Sequence, residues 1–420
     1  MFGGVVSGGP ALSESLPELL PTLLKEHNLV KASQTDVIAA RERVRASRDP
    51  YYPNASITAY VGHEDRNVPE ADDTKMHPQE LDVNLTQRLW DFGETQSSVK
   101  MAGLTLQQMQ ASLVATRQSL ILRAVSAYLN VSKSAEVLEF ARQSEINIKK
   151  QAELEDALVE QGAGLSTNVL QAKTQLAGAQ ARRVQSRGAL HIATNGYRAV
   201  FGDKPDNIAN MVKPKLPIHL MPATIDEAVK ISLEGNPNIK AATLGSHVAR
   251  ENVRYTRSSS FFPKLDMVAD IKYKNNVSGT RHHQREVLGK VQLTFPFDLG
   301  FTALNTLKAS KNDAQSTNTR LADARDLVEE QVRNAWDNVT TARENAEFLK
   351  NQANIAAEFL ELAKEKRKAG ESTLVEILTV ETAMINAQSD AASAETDVGI
   401  AIYTLLSVMG RLELDVFTGT

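Results

Sequence analysis

The sequence predicts an α+β membrane protein that is built mostly from long α-helices. Each copy also contributes four β-strands to a β-barrel shared by three copies, so that about 12 strands close the barrel. Three observations predict this fold: an internal two-fold repeat, two very long stretches without proline, and segments of about ten residues that are apolar on one face only.

The repeat is the strongest pattern in the chain. Asn130-Val131 and Glu139-Phe140 return 208 positions later as Asn338-Val339 and Glu347-Phe348. We therefore predict four parts, listed here in chain order: a first repeat over 12–204, a proline-containing linker over 205–223, a second repeat over 224–412 and a tail over 413–420.

Each repeat is predicted to contain a helix, two strands, a very long helix, a short turn and another helix. In the first repeat the strands cover about 53–62 and 80–90, and the later helices cover 94–160 and 165–200. In the second repeat the strands cover about 263–274 and 286–296, and the later helices cover 302–369 and 372–410. At 1.5 Å per residue, each very long helix extends about 100 Å, which is too long for one compact domain.

Apolar residues recur with heptad spacing in both very long helices. In the second helix one row comprises Leu321, Val328, Ala335, Ala342, Leu349, Ala356 and Ala363, and the complementary row comprises Val332, Val339, Ala346, Ala353 and Leu360. Matching rows lie 208 positions earlier, and their alanines allow neighbouring helices to approach closely. A heptad alone also describes a soluble coiled-coil scaffold protein, which remains the alternative from a different class.

The predicted strands have one apolar and one polar face. Leu81, Val83 and Leu85, for example, alternate with Asp82, Asn84 and Thr86. A half-buried sheet of a soluble protein alternates in the same way, but the sequence predicts no second layer to cover this apolar face. The polar loops 63–79 and 275–286 are the expected extracellular ends of the strand pairs.

The number of strands predicts the number of copies. Four strands cannot close in a membrane without leaving backbone groups unsatisfied at the sheet edges. Two copies would give about eight strands, whose interior is filled by side chains, whereas three copies leave an open lumen. We therefore predict a homotrimer, in which the long helices form a continuous wall and bury their heptad rows against their neighbours.

Composition excludes several classes of function. Lys and Arg number 47 against 51 Asp and Glu, so no basic field exists for nucleic acid. The chain has no cysteine, which excludes disulfides and thiolate metal sites. We find no phosphate-binding loop, dinucleotide-binding turn, zinc-protease motif or nucleophile elbow, and His282-His283 lacks further ligands. We expect no enzyme activity, no cofactor and no metal.

The membrane-related signals are few. The first residues lack a basic segment followed by an apolar one, so we expect either a cytoplasmic protein or a mature form from which a signal peptide has been removed. No stretch reaches the roughly 18 apolar residues of a spanning helix. Any membrane span is therefore expected to be β.

With these features together, the chain resembles the TolC-like outer-membrane efflux and secretion channel family. The resemblance rests on the repeated order of elements, on Leu293-Thr-Phe-Pro-Phe-Asp-Leu-Gly300 after the last strand, and on Gly370-Glu-Ser-Thr-Leu-Val-Glu-Ile-Leu378 at the second helical turn. It covers about 12–412. It implies a β-barrel in the bacterial outer membrane, a trimeric periplasmic α-barrel that holds most of the mass, and an equatorial belt that includes the linker.

The resemblance also implies partners and a task. Such a channel contacts outer-membrane lipid, docks with a periplasmic adaptor (membrane fusion) protein, and works with an inner-membrane ABC transporter or another energised pump. We expect a passive exit duct that conducts cargo from the periplasm to the exterior. The absent N-terminal cysteine favours type I protein secretion, with multidrug or small-molecule efflux as the alternative.

The family places its periplasmic gate just after the helical turns, where acidic side chains form rings. The matching positions are Glu376 and Thr379 in the second repeat and Asn168 in the first, so one carboxylate per copy remains. Three copies of Glu376 at a constriction would attract cations, although a solvated helix residue is an equally good interpretation from the sequence alone. Ser372 occupies the expected basic site of an arginine–carboxylate contact.

Residues next to the gate complete the predicted site. Gly162, Gly164 and Gly370 are predicted to allow the turn conformations at the helix tips. Arg367 and Lys368, just before the second turn, are candidates for contact with the adaptor, although a basic helix C-terminus is also a common structural device.

Overall fold

The fold is mostly helical with a few strands, as predicted. The computed structural model describes residues 15–67, 69, 73–163 and 165–418. The helices are α1 (Leu16–Glu26), α2 (Asn28–Ala46), α3 (Glu94–Glu160), α4 (Ser166–Phe201), α5 (Ile225–Gly235), α6 (Pro237–Phe261), α7 (Thr302–Lys368), α8 (Leu374–Val408) and α9 (Asp415–Thr418). Among these helices, none combines the length and the apolar character that a bilayer crossing needs.

In the part of the chain that the structure describes, six strands form two antiparallel sheets. They are β1 (Asn54–Val61), β2 (Glu64–Arg66), β3 (Thr74–Met76), β4 (Gln79–Trp90), β5 (Lys264–Asn275) and β6 (His283–Thr294). The larger sheet has the order β1-β4-β5-β6, which leaves β1 and β6 at its edges, and β2 pairs with β3 in a short ribbon. This ribbon lies where the sequence predicted a loop, and β6 begins three residues before the predicted start.

The chain divides into two compact units. The first comprises Met1–Ala32, Leu113–Pro237 and Arg325–Thr420, and the second comprises Ser33–Ser112 and Asn238–Ala324. The second unit contains both sheets, and the first contains the two helical turns.

The larger sheet has two chemically distinct faces. Register pairs Ile57 with Val83, Val83 with Ile271, and Ile271 with Val287, which gives one apolar row across all four strands. Several apolar side chains on this face are exposed: Ile57, Val61, Leu81, Leu85, Met267, Val287, Val291 and Leu293. The four-stranded sheet therefore presents an uncovered apolar surface within one copy.

The opposite face carries charged side chains that pair across strands. Lys272 Nζ lies 3.2 Å from Asp82 Oδ2, and Arg88 Nε lies 2.5 Å from Asp266 Oδ1. Asn84 donates its amide to Asp270 Oδ1 at 2.5 Å. These pairs join β4 to β5 on the polar face.

An aspartate precedes the first turn of each of the two very long helices. Asp91 accepts hydrogen bonds from the backbone N–H of Gly93 and Thr95. Asp298 likewise accepts from Gly300 and Ala303, and these N–H groups hold the pKa of the Asp298 carboxyl below its usual value. The Asp-x-Gly motif after each strand pair is therefore an N-terminal cap, which satisfies backbone donors that the first helical turn leaves free.

The heptad rows are largely buried inside one copy. Buried members include Leu120, Ala124, Val131, Leu138, Ala141 and Ile148 in α3, and Val328, Val332, Ala335, Val339, Ala353, Leu360 and Ala363 in α7. In α7, Leu360 and Ala363 pack against Ile377 and Val380 of α8. Helix α8 thus covers these two positions, whereas Phe348, Ile355 and Leu362 form a second row of α7, seven residues apart, that stays exposed.

The linker forms a strap, defined here as residues 212–216, that is tied to α3 and α8. Lys213 Nζ donates to Glu136 Oε2 at 2.9 Å and to Glu395 Oε2 at 2.8 Å. Burial disfavours the charged amine, but the hydrogen bonds to these two carboxylates outweigh it and raise the pKa of Lys213.

Two tyrosines add further ties to the strap. Tyr128 donates its hydroxyl to the Val212 carbonyl at 3.0 Å, and Tyr403 donates to the Lys215 carbonyl at 3.2 Å. Burial raises the pKa of Tyr403, so its phenol stays protonated and remains a donor at alkaline as well as neutral pH. The strap is therefore held to both helices by several independent contacts.

Candidate gate at the helical turns

The first helical turn ends α3 with a left-handed glycine. Gly162 has φ of +76°, and the N–H of Ala163 donates to the Leu158 carbonyl at 2.9 Å while that of Gly162 donates to Val159 at 3.0 Å. This hydrogen-bond pattern is the Schellman motif, which requires a positive φ at the residue after the helix. A Cβ at Gly162 would meet no atom within 4 Å, so the demand for glycine comes from the backbone angle alone.

The second turn repeats this geometry 208 positions later. Gly370 has φ of +82°, and the N–H of Glu371 donates to the Lys366 carbonyl at 2.9 Å. Gly162 and Gly370 therefore lie where the sequence predicted special turn conformations. Gly164, the third predicted turn residue, lies outside the described residues.

Glu376 lies in the first turn of α8 and is exposed. Its backbone N–H donates to Thr373 Oγ1 at 3.3 Å, and its carboxylate oxygen Oε2 accepts from Ser372 Oγ at 2.9 Å. Thr373 is thus the N-cap, and the carboxylate also benefits from the positive end of the helix dipole. Ser372, at the expected basic position, contacts the carboxylate through a neutral hydroxyl, so the charge of Glu376 is not neutralised by this contact.

The other two predicted gate residues have different surroundings. Thr379 is exposed and donates its hydroxyl to the Val375 carbonyl one turn earlier, at 2.7 Å. Asn168 is half-buried near the start of α4, where its backbone N–H donates to the Leu165 carbonyl at 3.0 Å. Glu376 and Thr379 share an exposed face of α8, because they are three residues apart on one helix.

The two basic residues before the second turn differ in their environments. Lys368 is exposed at the last residue of α7. Arg367 instead donates to Glu155 of α3, a carboxylate that is only 2% exposed. A buried carboxylate without a cation would be costly, so this ion pair links α3 to α7 next to both turns.

Glu155 was not predicted as part of the site, although the heptad rows contained a signal for it. Continuing the row Ala141, Ile148 by seven residues reaches Glu155, and continuing the row Ala353, Leu360 by seven reaches Arg367. A charge at a position that is otherwise apolar indicates a buried partner. The row of α3 thus reaches a carboxylate and the row of α7 reaches a guanidinium, and these two side chains form an ion pair in the structure.

Further contacts join the two helical hairpins near these turns. Asn147 of α3 donates its amide to Glu381 Oε1 of α8 at 2.7 Å, and Glu381 is buried. An apolar cluster surrounds this region and comprises Ile148, Ala152, Ala172, Ala179, Leu374 and Leu378, with Leu176 packed against it. The start of α8 is therefore held against α3 and α4 by apolar packing, while its gate face stays exposed.

Within the described residues, no group of three or more His, Asp or Glu side chains has an arrangement that would hold a metal ion. The charged side chains at the turns are carboxylates such as Glu376 and cations such as Lys368, and these groups can attract or repel ions nearby.

Comparison with known proteins identifies the class to which this fold and site belong. A family model described as "Outer membrane efflux protein" matches residues 19–203 and 228–411. The chain belongs to this family of outer membrane channels, which are not enzymes. The predicted resemblance to TolC-like channels is thereby confirmed, together with a location in the bacterial outer membrane and a large helical portion in the periplasm.

Particular relatives are similar over most of the chain. The outer membrane efflux protein BepC of Brucella suis is 24% identical over 99% of this chain and 89% of its own length. The outer membrane protein TolC of Escherichia coli is also 24% identical, over 98% of this chain and 86% of its own length. The alkaline protease secretion protein AprF of Pseudomonas aeruginosa is 23% identical over 75% of this chain and 66% of its own length.

A solved structure shows the same fold. The crystal structure of a membrane protein from Pseudomonas aeruginosa superimposes with a TM-score of 0.82 at 19% identity, over 94% of this chain and 93% of that chain.

Proposed function

We propose that three copies of this chain form an outer-membrane exit duct that conducts cargo passively from the periplasm to the exterior. The four-stranded sheets of three copies would close a shared 12-stranded β-barrel, and α3, α4, α7 and α8 would line a periplasmic α-barrel. The two-faced sheet carries this proposal. Its apolar face is uncovered and its edge strands β1 and β6 lack a second neighbour among the described strands, and both features are costly unless lipid and other copies satisfy them.

Energy for export would come from partners. We propose docking of the helical turns with a periplasmic adaptor protein, and through it with an inner-membrane ABC transporter or another energised pump. The exposure of Lys368 supports its proposed contact with the adaptor. Arg367 would contact the adaptor only if its ion pair with Glu155 opened.

The turns would form the periplasmic gate. In a trimer the exposed Glu376 and Thr379, with Asn168 beside them, would project into a constriction that widens when the hairpins move apart like an iris. Three carboxylates at one constriction would favour cations over anions.

Cysteine crosslinking tests the shared barrel. Within one copy β1 and β6 are separated by two strands, about 14 Å, which is beyond the roughly 7 Å reach of a disulfide between Cα atoms. Because the chain has no cysteine of its own, Ile57→Cys combined in turn with Val287→Cys, Gly289→Cys or Val291→Cys can be oxidised only between copies. We expect at least one combination to give covalent trimers and no larger species on denaturing gels.

A matched pair provides the control for this experiment. Val83 and Ile271 are direct partners on β4 and β5, so Val83→Cys/Ile271→Cys should form a disulfide inside one copy and run as a monomer. If every β1–β6 combination stays monomeric while this control oxidises, the shared barrel is wrong.

For the cargo we propose polypeptides exported by type I secretion, which the similarity to AprF supports. The similarity to BepC supports small-molecule efflux as the second candidate. Deleting the gene and measuring both secreted proteins and drug sensitivity separates them. Loss of specific secreted proteins alone supports type I secretion, increased drug sensitivity alone supports efflux, and no change in either would count against export.

A further inference from the structure

A cavity of about 460 Å³ lies at the helix end of the larger sheet, inside the unit that comprises Ser33–Ser112 and Asn238–Ala324. It lies between the first turns of α3 and the second half of α6. Its lining combines basic side chains with aromatic rings, among them Lys100, Arg254, Arg257, Phe92 and Phe262. None of the candidate gate residues lines this cavity.

The charges in the cavity are unbalanced. Glu251, which is buried, accepts hydrogen bonds from Lys100 Nζ at 2.5 Å and from Arg254 Nη1 at 2.8 Å. Burial opposes ionisation of Glu251, but the contacts with Lys100 and Arg254 outweigh it and lower the pKa of its carboxyl. Arg257 is a third cation in the lining, so three positive charges face one negative charge and the cavity favours an anion.

Aromatic rings connect this basic cavity to the apolar face of the sheet. A bulge in β4 places Trp90 opposite Leu265, which belongs to the apolar row of β5. The rings of Trp90 and Phe92 meet edge to face with centroids 6.0 Å apart, and Phe92 stacks on Phe262 at 5.4 Å. The guanidinium of Arg257 lies 5.9 Å from the centroid of the Phe262 ring. From the sheet towards the cavity, the surface is thus formed first by apolar strand residues, then by aromatic rings and finally by basic side chains.

The backbone holds the central ring of this series in place. Phe92 has φ of +53°, a conformation that is uncommon for a bulky residue. Its carbonyl accepts a hydrogen bond from Ser258 Oγ of α6 at 3.0 Å.

The cavity opens on the side of α3 that is opposite to the polar face of the sheet. Glu94 and Ser98 of α3 line a different cavity together with Arg88 and Asp266, whose side chains are on the polar face. Gln96 and Lys100, which line the basic cavity, lie about half a turn around α3 from Glu94 and Ser98. The basic cavity is therefore on the same side as the apolar face.

We propose that this cavity binds the phosphate headgroup of an anionic phospholipid whose acyl chains lie along the apolar face of the sheet. The inference rests on the proposed function, because it requires that lipid covers this face. Aromatic rings prefer the boundary between hydrocarbon and water, and basic side chains next to that boundary attract anionic headgroups. A free phosphate ion would use the cations but would gain nothing from the aromatic rings.

Quenching of Trp90 fluorescence tests the proposal. The chain has two tryptophans, so Trp336→Phe leaves Trp90 as the single reporter. The full-length protein is reconstituted in bilayers of phosphatidylcholine that contain a small fraction of brominated phosphatidylglycerol, or the same fraction of brominated phosphatidylcholine. We expect stronger quenching by the brominated anionic lipid, and no loss of this preference when inorganic phosphate is added.

Substitutions identify the residues responsible. Arg257→Gln leaves both hydrogen bonds of Glu251 intact and should weaken the preference for the anionic lipid about fivefold, because one basic residue near a charged membrane surface contributes about that factor. Lys100→Gln/Arg254→Gln/Arg257→Gln should abolish the preference. The matched control, Lys308→Gln/Lys311→Gln/Arg320→Gln, removes three exposed cations from α7 and should leave it unchanged.

Each contrary result has a distinct meaning. Equal quenching by both brominated lipids would overturn the headgroup site and leave the proposed barrel intact. Absence of quenching by either lipid would instead contradict contact between the sheet and the membrane. Loss of the preference in inorganic phosphate would show a site for the free ion and would overturn the lipid assignment, and so would an equal loss in the α7 control.

Discussion

One carboxylate per copy, that of Glu376, carries the charge of the candidate gate. The carboxylate accepts a hydrogen bond from the neutral hydroxyl of Ser372, so its negative charge stays uncompensated on an exposed face of α8. In a trimer, three such charges would lie around the axis. The ion preference of the duct should therefore depend on this residue more than on the neutral Thr379 and Asn168.

Replacing Glu376 by glutamine tests this dependence, because the amide oxygen can still accept from Ser372 while the charge is lost. Three charges about 10 Å from a passing ion attract a monovalent cation by roughly 1 kcal/mol in water and repel an anion by the same amount. We therefore expect the ratio of cation to anion permeability to fall about thirtyfold at low ionic strength. Single-channel recordings in planar bilayers measure this ratio. Glu371→Gln, which removes an exposed carboxylate from the turn itself, is the matched control, and an equal effect of both variants would contradict a specific role for Glu376.

At the scale of elements, the two helical turns depend on a glycine for its backbone conformation and not for space. Gly162 and Gly370 both have positive φ and open surroundings. Gly178, inside α4, has equally open surroundings but is helical. The same substitution should therefore have opposite effects at these positions.

We expect Gly162→Ala to destabilise the hairpin by about 1 kcal/mol per copy, because alanine is strained in the left-handed conformation. Gly178→Ala should stabilise it by about 0.5–1 kcal/mol, because alanine loses less conformational entropy in a helix. Thermal unfolding followed by circular dichroism compares the two variants. If Gly162→Ala raised the unfolding temperature as Gly178→Ala does, the turn would not require glycine.

Much of the fold could be predicted from local patterns. The absence of proline between 94 and 160 predicted α3, and the alternation around Val83 predicted a strand with one apolar face. The β2–β3 ribbon was missed because its strands have only three residues each and are rich in charge, too short for an alternation to be recognised.

The candidate site was predicted less completely, because its contacts join distant parts of the chain. The turn glycines Gly162 and Gly370 could be located because they recur 208 positions apart, and both have a positive φ in the structure. The pairing of Glu155 with Arg367 spans 212 residues, and the row pattern indicates only that each charge needs a partner. The link between Asn147 and Glu381 leaves no periodic signal at all.

For the whole molecule, the two faces of the sheet determine where it can reside. The polar face contains paired charges, and the apolar face contains exposed aliphatic side chains. Two neighbouring residues of β6 lie on opposite faces of the sheet. Val287 on the apolar face is 66% exposed, and Leu288 on the polar face is 49% exposed.

Lysine at these two positions should therefore have very different effects on assembly. Val287→Lys would place a charge against hydrocarbon, which costs about 2–4 kcal/mol per copy near the bilayer centre, so we expect a large loss of trimer from outer-membrane fractions. Leu288→Lys would lie opposite Asp270 on the polar face and should assemble normally. Equal trimer yields on semi-native gels would contradict a lipid-facing sheet.

The strap over α3 and α8 has a consequence for the continuity of the polypeptide. Lys213 of the strap donates to carboxylates of α3 and α8, helices that precede and follow the linker in the sequence. Tyr128 of α3 and Tyr403 of α8 donate in turn to backbone carbonyls of the strap. A protease cut or a split gene that interrupts the backbone just after Gly202 would leave these ties in place. Two separately synthesised halves should then associate through these contacts and fold into one unit.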